Sequence, residues 1–158
     1  MKQRPKVERI VSGGQTGADR GALDAAIEVG IPHGGYCPRG RIAEDGRISD
    51  RYQLTETASE SYEERTGLNV IESDATLILT HGALTGGSRL TKELAEGAGR
   101  PTLHLDLSRL SAEEAAVKVR EWLSRHQVSV LNVAGSRESL SPGLCAAVKQ
   151  LLRRVFSP

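Results

Sequence analysis

The chain is poor in sulfur and in aromatic rings: its 158 residues include two cysteines, one methionine, one tryptophan, three tyrosines and one phenylalanine. Cys37 and Cys145 stand too far apart to build a structural zinc site unaided, so metal binding through sulfur is disfavoured. No charge of one sign dominates. Lysine and arginine number 21 against 20 aspartates and glutamates, which removes the basic surplus that phosphate neutralisation needs and argues against nonspecific nucleic-acid or membrane binding. The scarcity of rings also removes the stacking platforms of a single-stranded DNA binder. No apolar run reaches membrane length and no charged-then-apolar leader is visible, so the expectation is a reduced, cytoplasmic setting.

Residues 1–158 are the length of a single domain, enough to bury roughly two thirds of the unfolded surface. What the chain does have is glycine, placed where it carries a functional signal. In the stretch from Val7 to Gly30, Ile10 and Val11 finish an apolar strand that runs into SGGQTGAD. Gly13, Gly14 and Gly17 remove side chains where a ligand would approach backbone N–H groups, Gln15 lies between them, and Thr16 is placed to cap a helix carrying the positive end of its dipole. Ala18, Ala22, Ala25, Ala26 and Val29 then recur at helical spacing. This is the layout of a phosphate-binding turn, although neither the GxGxxG spacing nor a Walker-type Lys-Ser/Thr pair is present. A plain chain-reversing turn is therefore the alternative. Asp19 completes a capping-box-like pairing with Thr16 in one reading and meets a ligand hydroxyl or a bound cation in the other; it would repel a phosphate directly above it.

Strands and helices alternate along the rest of the chain. Ile31 to Cys37 is expected to be a short strand ended by Pro38, and Ser59 to Ser73 a helix with Ser61 and Glu64 spaced as a capping box. Ala75 to Gly82 reads as a strand buried on both faces, followed by LTGGS, where Ser88 can cap a helix packed through Leu90, Leu94 and Ala98. Pro101 to Leu107 gives a fourth strand, and Ser111 with Glu114 opens a helix burying Val119, Trp122 and Leu123. Val128 to Gly135 gives a fifth strand. Ser141 and Pro142 then supply a cap and first-turn proline for a helix with Leu144, Val148, Leu151 and Val155 on one face, where Cys145 is assigned to the core. The order implies an α/β Rossmann-like three-layer sandwich with a mostly parallel sheet.

Ligands in such sheets sit beyond the carboxyl ends of the strands. Three strands end in side-chain-poor loops, SGGQTGAD, HGALTGGS and VAGSRES, which are expected to converge on one anion site, with Arg89 and Arg137 beside two of them. His81 at a strand end has no evident partner. The segment from 38 to about 57 is long, charged and without a period; Arg39, Arg41, Arg47, Arg51 and Tyr52 are interleaved with Glu44 and Asp45. It is either a solvated, self-paired loop or a lid over an anionic ligand, and Arg39 is carried among the ligand-contact candidates. Cys37 beside Arg39 is a candidate for a lowered pKa, but no adjacent histidine or thiol makes it a nucleophile. Tyr62, Arg65, Thr66 and Asn69 share one polar helix face, either a solvent face or a side wall of the crevice.

The combination SGGQTGADRGALDAAI, GGYCPRGRIAEDG, YEERTGLNVIESDATLIL, LTGGSRLT and LNVAGSRES resembles the molybdenum carrier family, a circularly permuted branch of the SLOG, or lysine decarboxylase-like, Rossmann superfamily. The resemblance spans nearly the whole chain. It implies a nucleotide-type or phosphorylated-cofactor site built by Gly13, Gly14, Gly17, Gly86, Gly87 and Ser88. It also implies that Gly135, Ser136 and Arg137 correspond to the first-strand motif of unpermuted relatives, placing the C-terminal strand mid-sheet. The family suggests molybdenum cofactor (molybdopterin), a phosphorylated pterin holding the metal on its own dithiolene sulfurs, or else a nucleotide, carried without protein metal ligands. Related lonely-guy phosphoribohydrolases carry PGGxGTxxE where this chain reads LTGGSRLTKE, so catalysis does not transfer and no catalytic residue is assigned.

Two function classes follow. One is a non-catalytic binding protein for a phosphorylated heterocycle. The other is an enzyme cleaving the N-glycosidic bond of a nucleoside monophosphate with Glu93 or Asp19. SLOG relatives commonly form dimers, and the third and fifth helices offer apolar area for a homo-oligomer, though a monomer core would use the same residues.

Overall fold

The computed structural model describes residues 4–157. Its elements run β1 (Arg9–Val11), α1 (Ala18–Val29), β2 (His33–Gly34), β3 (Tyr36–Cys37), β4 (Ile42–Ala43), β5 (Gly46–Arg47), β6 (Thr55–Glu56), α2 (Tyr62–Ile71), β7 (Ala75–Thr80), α3 (Gly86–Gly97), β8 (Thr102–Asp106), α4 (Ala112–His126), β9 (Val130–Gly135) and α5 (Leu144–Phe156). The central sheet is parallel, in the order β2-β1-β9-β7-β8, which puts the last strand in the middle. The α/β sandwich expected from the alternating pattern is what forms.

The two faces of this sheet differ in chemistry. On one, Ile10, Leu77, Leu79, Leu131 and Val133 join the apolar faces of α1, α4 and α5 in one continuous core. The alternation of side chains along a strand sends Thr76, Thr80 and Asn132 to the other face, where α2 and α3 pack. All three are buried, and Asn132 Nδ2 donates to Thr76 Oγ1 at 3.3 Å. The expected stripe of Leu90, Leu94 and Ala98 is correspondingly not the buried one. α3 buries Ser88, Thr91 and Ala95, because it rests on a polar sheet face.

Several helix starts differ from expectation for a common reason: nearby loops supply the caps. Ser61 caps α2 through Glu63 N, but Glu64 accepts from Ser59 Oγ at 2.5 Å rather than closing a box. Thr85, not Ser88, is the N-cap of α3, and Ser88 reaches back to accept from Thr85 N at 3.0 Å. α5 begins after Gly143, its first-turn amides Gly143 N and Cys145 N held by the Glu138 carboxylate at 2.7 and 2.9 Å. Ser111 and Glu114 do form the box read from the sequence. Cys145 is half-buried rather than core.

The expected second strand is split at Gly35, with β2 in the main sheet and β3 paired to β6. The long loop is thereby folded. It carries the β4-β5 hairpin and packs Ile48 and Tyr52 with Leu23 and Cys37 in a second small core. Arg41 is buried within it and donates to the carbonyls of Ile48, Ser49 and Tyr52 at 3.1, 2.7 and 2.9 Å. Tyr52 donates to Asp24 at 2.7 Å, and its phenol is pushed up to about 12 by burial and by that carboxylate. Burial likewise raises the Cys37 thiol, against the lowering its arginine neighbours suggested.

β9 fits the middle of the sheet only because it ends in glycine. A Cβ on Gly135 would stand 1.9 Å from Leu79 O and 2.7 Å from Ala18 Cβ. Gly135→Ala should therefore cost about 3 kcal/mol in denaturant unfolding. Gly67→Ala, inside α2 with nothing within 4 Å of its Cβ, should add up to ~1 kcal/mol. Equal stability of Gly135→Ala and the unsubstituted protein would refute the packing constraint.

Candidate functional site

β1, β9 and β7 are neighbours, so the loops leaving their carboxyl ends are neighbours too. Between them and the polar faces of α2 and α3 lies a crevice of about 330 Å³. Of the residues proposed from the sequence, Gly13, Gln15, Asp19, Gly86, Gly87, Ser88, Gly135, Ser136 and Arg137 line it; Gly14, Thr16, Gly17 and Arg39 do not. Neither Arg89, which turns back to Leu84 O at 3.2 Å, nor the exposed Glu93 lines it.

The glycines of the first loop serve the protein itself. A Cβ on Gly13 would meet Arg65 Nη1 at 2.4 Å, one on Gly14 would meet Leu54 Cδ1 at 2.7 Å, and one on Gly17 would meet Ser136 O at 2.3 Å. Gly17 is also the N-cap of α1, with no side-chain cap. Ala18 N donates to Ser136 O at 3.1 Å. Thr16 does not cap the helix: its hydroxyl donates to Glu44 and accepts from Glu138 N. The α1 N-terminus is thus closed by protein groups. At Gly86 and Gly87, by contrast, nothing lies within 4 Å of an added Cβ. Space for a ligand is therefore at α3, where Gly86 N and Gly87 N precede the amides of Ser88 and Arg89 that bond back to Thr85 O at 3.0 and 3.4 Å.

Two guanidinium groups face this space. Arg65, buried on α2, donates to Gly13 O at 2.7 Å and to Thr66 Oγ1 at 3.2 Å. Its Cζ lies 5.1 Å from the Tyr62 ring centroid, and that of Arg137 lies 5.7 Å from the same ring. Among the described residues Arg137 has no carboxylate partner. Asp19 is buried in the same crevice. Its Oδ2 accepts from Gln15 N at 3.1 Å and stands 3.9 Å from Arg65 Nη1. Burial raises its pKa above the usual carboxylate range, with the Arg65 charge opposing. It is neither paired with Thr16 in a box nor free in solvent.

The polar face of α2 is a wall of the crevice. Tyr62, Arg65, Thr66 and Asn69 all line it, and Asn69 is held by Tyr36 N and O at 2.8 and 3.0 Å. Asn132 and Thr91 also line it and were not singled out from the sequence. An asparagine inside the apolar run VSVLNVAG was the available signal for the first. No residue of the segment 38–57 lines the crevice. Its charges pair within the segment and with α1: Arg47 with Asp50 at 2.8 Å, and Asp45 with Arg20 at 2.5 Å. The Glu44 carboxylate receives Thr16 Oγ1, Ser139 N and Ser139 Oγ, pinning the segment to the first and third loops.

Comparison with known proteins places this geometry in context. A family model described as "Circularly permutated YpsA SLOG family" matches residues 10–156. A crystal structure from Syntrophus aciditrophicus SB, named "Putative molybdenum carrier protein", is similar at 47% identity over 98% of each chain, with a TM-score of 0.95. No curated protein matches the chain.

Because the Asp19 pKa is raised, the folded chain holds a proton that the unfolded chain releases above about pH 4, and stability is lost as pH rises through that window. Asp19→Asn keeps an acceptor for Gln15 N without the buried charge. Its melting temperature relative to the unsubstituted protein should climb as pH rises above about 4. A difference flat with pH would show that burial does not govern this carboxyl.

Proposed function

The chain belongs to the circularly permuted YpsA SLOG family, and from that premise we propose that it is a carrier or binding protein for a phosphorylated heterocyclic small molecule held in the three-loop crevice. The observation that carries this reading is the pairing of an open, side-chain-free α3 N-terminus at Gly86 and Gly87 with the unpaired Arg137 guanidinium. Backbone N–H groups and a helix dipole favour an anion there, and an arginine beside them supplies charge-assisted hydrogen bonds. The volume is at the lower end of small-molecule sites.

Molybdenum cofactor fits this donor set as a phosphorylated pterin. Gly86, Gly87 and Arg137 would hold its phosphate, with Ser88 fixing the turn through Thr85, and the ring would lie toward Gln15 and Asp19. Among the described residues no group of three His, Cys, Asp or Glu side chains is placed to hold a metal ion. The metal would travel as cargo on the sulfurs of the pterin. A nucleoside monophosphate satisfies the same groups.

Heating the purified protein and identifying the released molecules by mass spectrometry tests the reading directly. A phosphorylated pterin or nucleotide is expected; recovery of no such ligand, with no thermal stabilisation by either class, would sink it. Arg137→Ala should weaken binding of the recovered ligand about tenfold or more while leaving the melting temperature of the free protein nearly unchanged.

Asp19 favours a second reading, cleavage of the N-glycosidic bond of a nucleoside monophosphate. A buried carboxyl of raised pKa inside the crevice is suited to protonate a leaving base. Glu93, exposed and outside the crevice, is not. The carrier reading expects no free base from a panel of purine and pyrimidine monophosphates; release that disappears in Asp19→Asn would establish the hydrolase instead.

A further inference from the structure

Gln15 carries the most telling polar atom in the molecule. It lies in the first loop, is 5% exposed and lines the crevice. Its Oε1 accepts from Thr16 N at 3.0 Å and from Glu44 N at 2.9 Å. Those two donors fix the amide's orientation, since the flipped form would set NH2 against two N–H groups. The Nε2 group is therefore left over, and it is buried with no hydrogen-bond partner. A buried amide donor left unpaired is costly, and its natural complement is an acceptor brought in by whatever fills the crevice.

Asp19 is its neighbour through the Gln15 N to Oδ2 bond. The carboxylate is 7% exposed and lines the same crevice. The backbone N–H groups of Gln15 and Gly13 turned toward it still leave acceptor capacity on the two carboxylate oxygens, and Arg65, at 3.9 Å, is beyond hydrogen-bond length. The crevice wall thus carries a buried donor on Gln15 and a buried acceptor on Asp19, linked through the Gln15 backbone N–H, where a carboxylate disfavours phosphate.

Resting on the reading of the crevice as a phosphorylated-heterocycle site, we propose that Gln15 and Asp19 select the ring. They accept a lactam edge, in which a ring carbonyl takes the Gln15 Nε2 hydrogen and the adjoining ring N–H, with a 2-amino group where present, donates to Asp19. Guanine, hypoxanthine and pterins carry that edge. Adenine carries an amino group where they carry the carbonyl, so its NH2 would face the Gln15 NH2. Sites built to hydrogen-bond a polar group discriminate against analogues that leave it unpaired.

The experiment is calorimetric titration of the full chain with AMP, IMP, GMP and hydroxymethylpterin monophosphate, which share the phosphate and differ in the ring edge. GMP, IMP and the pterin should each bind at least about tenfold more tightly than AMP. In Gln15→Glu, which keeps the acceptor for Thr16 N and Glu44 N but replaces the donor, that preference should collapse. Equal binding of AMP and GMP overturns this inference and leaves the anion site standing, as does a preference unchanged in Gln15→Glu. Binding of none of the four overturns both. Should Gln15→Glu fail to fold by circular dichroism, the four-ligand series on the unsubstituted protein decides alone.

Discussion

The crevice depends on one close backbone approach, where the end of β9 meets the start of α1. Gly135 lies against Leu79 O, Gly17 against Ser136 O, and Ala18 N donates to Ser136 O at 3.1 Å. No side chain larger than hydrogen fits at either glycine without displacing backbone. This seam locks the third loop over the first and closes the N-terminus of α1 with a protein carbonyl. The helix end that the glycine-rich motif advertises is consequently unavailable to an anion. The electrostatic focus moves across the sheet to α3, where Gly86 and Gly87 at the first turn have no such cover.

The asymmetry of the sheet extends the same logic. One face carries the main apolar core with α1, α4 and α5. The other presents Thr76, Thr80 and Asn132 to helices that answer with Ser88, Thr91 and Asn69. Buried polar groups must find partners: Asn132 bonds Thr76, Thr91 bonds Gly87 O, Ser88 bonds Thr85 O and Asn69 bonds the Tyr36 backbone. A crevice opens there. The folded segment 38–57 braces its far wall, with Arg41 gathering carbonyls inside it and Glu44 tying it to Thr16 and Ser139.

Much of this was readable beforehand. Periodicity located the five helices and the strands of the central sheet, because each buries a stripe set by its own repeat. The convergence of three glycine loops followed from parallel topology, and family resemblance placed β9 in the middle. Helix starts were the weak point. Thr16, Ser88 and Ser141 are all good caps by residue type, yet Ser136, Thr85 and Glu138 serve those positions: Thr85 and Glu138 stand a few residues upstream, while Ser136 reaches the start of α1 from the far end of the chain. Arg65 was seen only as part of a polar face, and its burial against Gly13 depends on how α2 docks.

Sequence alone determined the class of fold and the family, because these rest on hydrophobic period, element order and motif identity along the chain. Tertiary structure decided what each glycine is for. GGQTG and TGGS look alike as text, but the first is filled by Arg65, Leu54 and Ser136 while the second faces open space. The same holds for Asp19, whose raised pKa comes from burial between α1 and α2. Steric occupancy and desolvation are properties of what packs nearby in space, and a linear sequence does not record them.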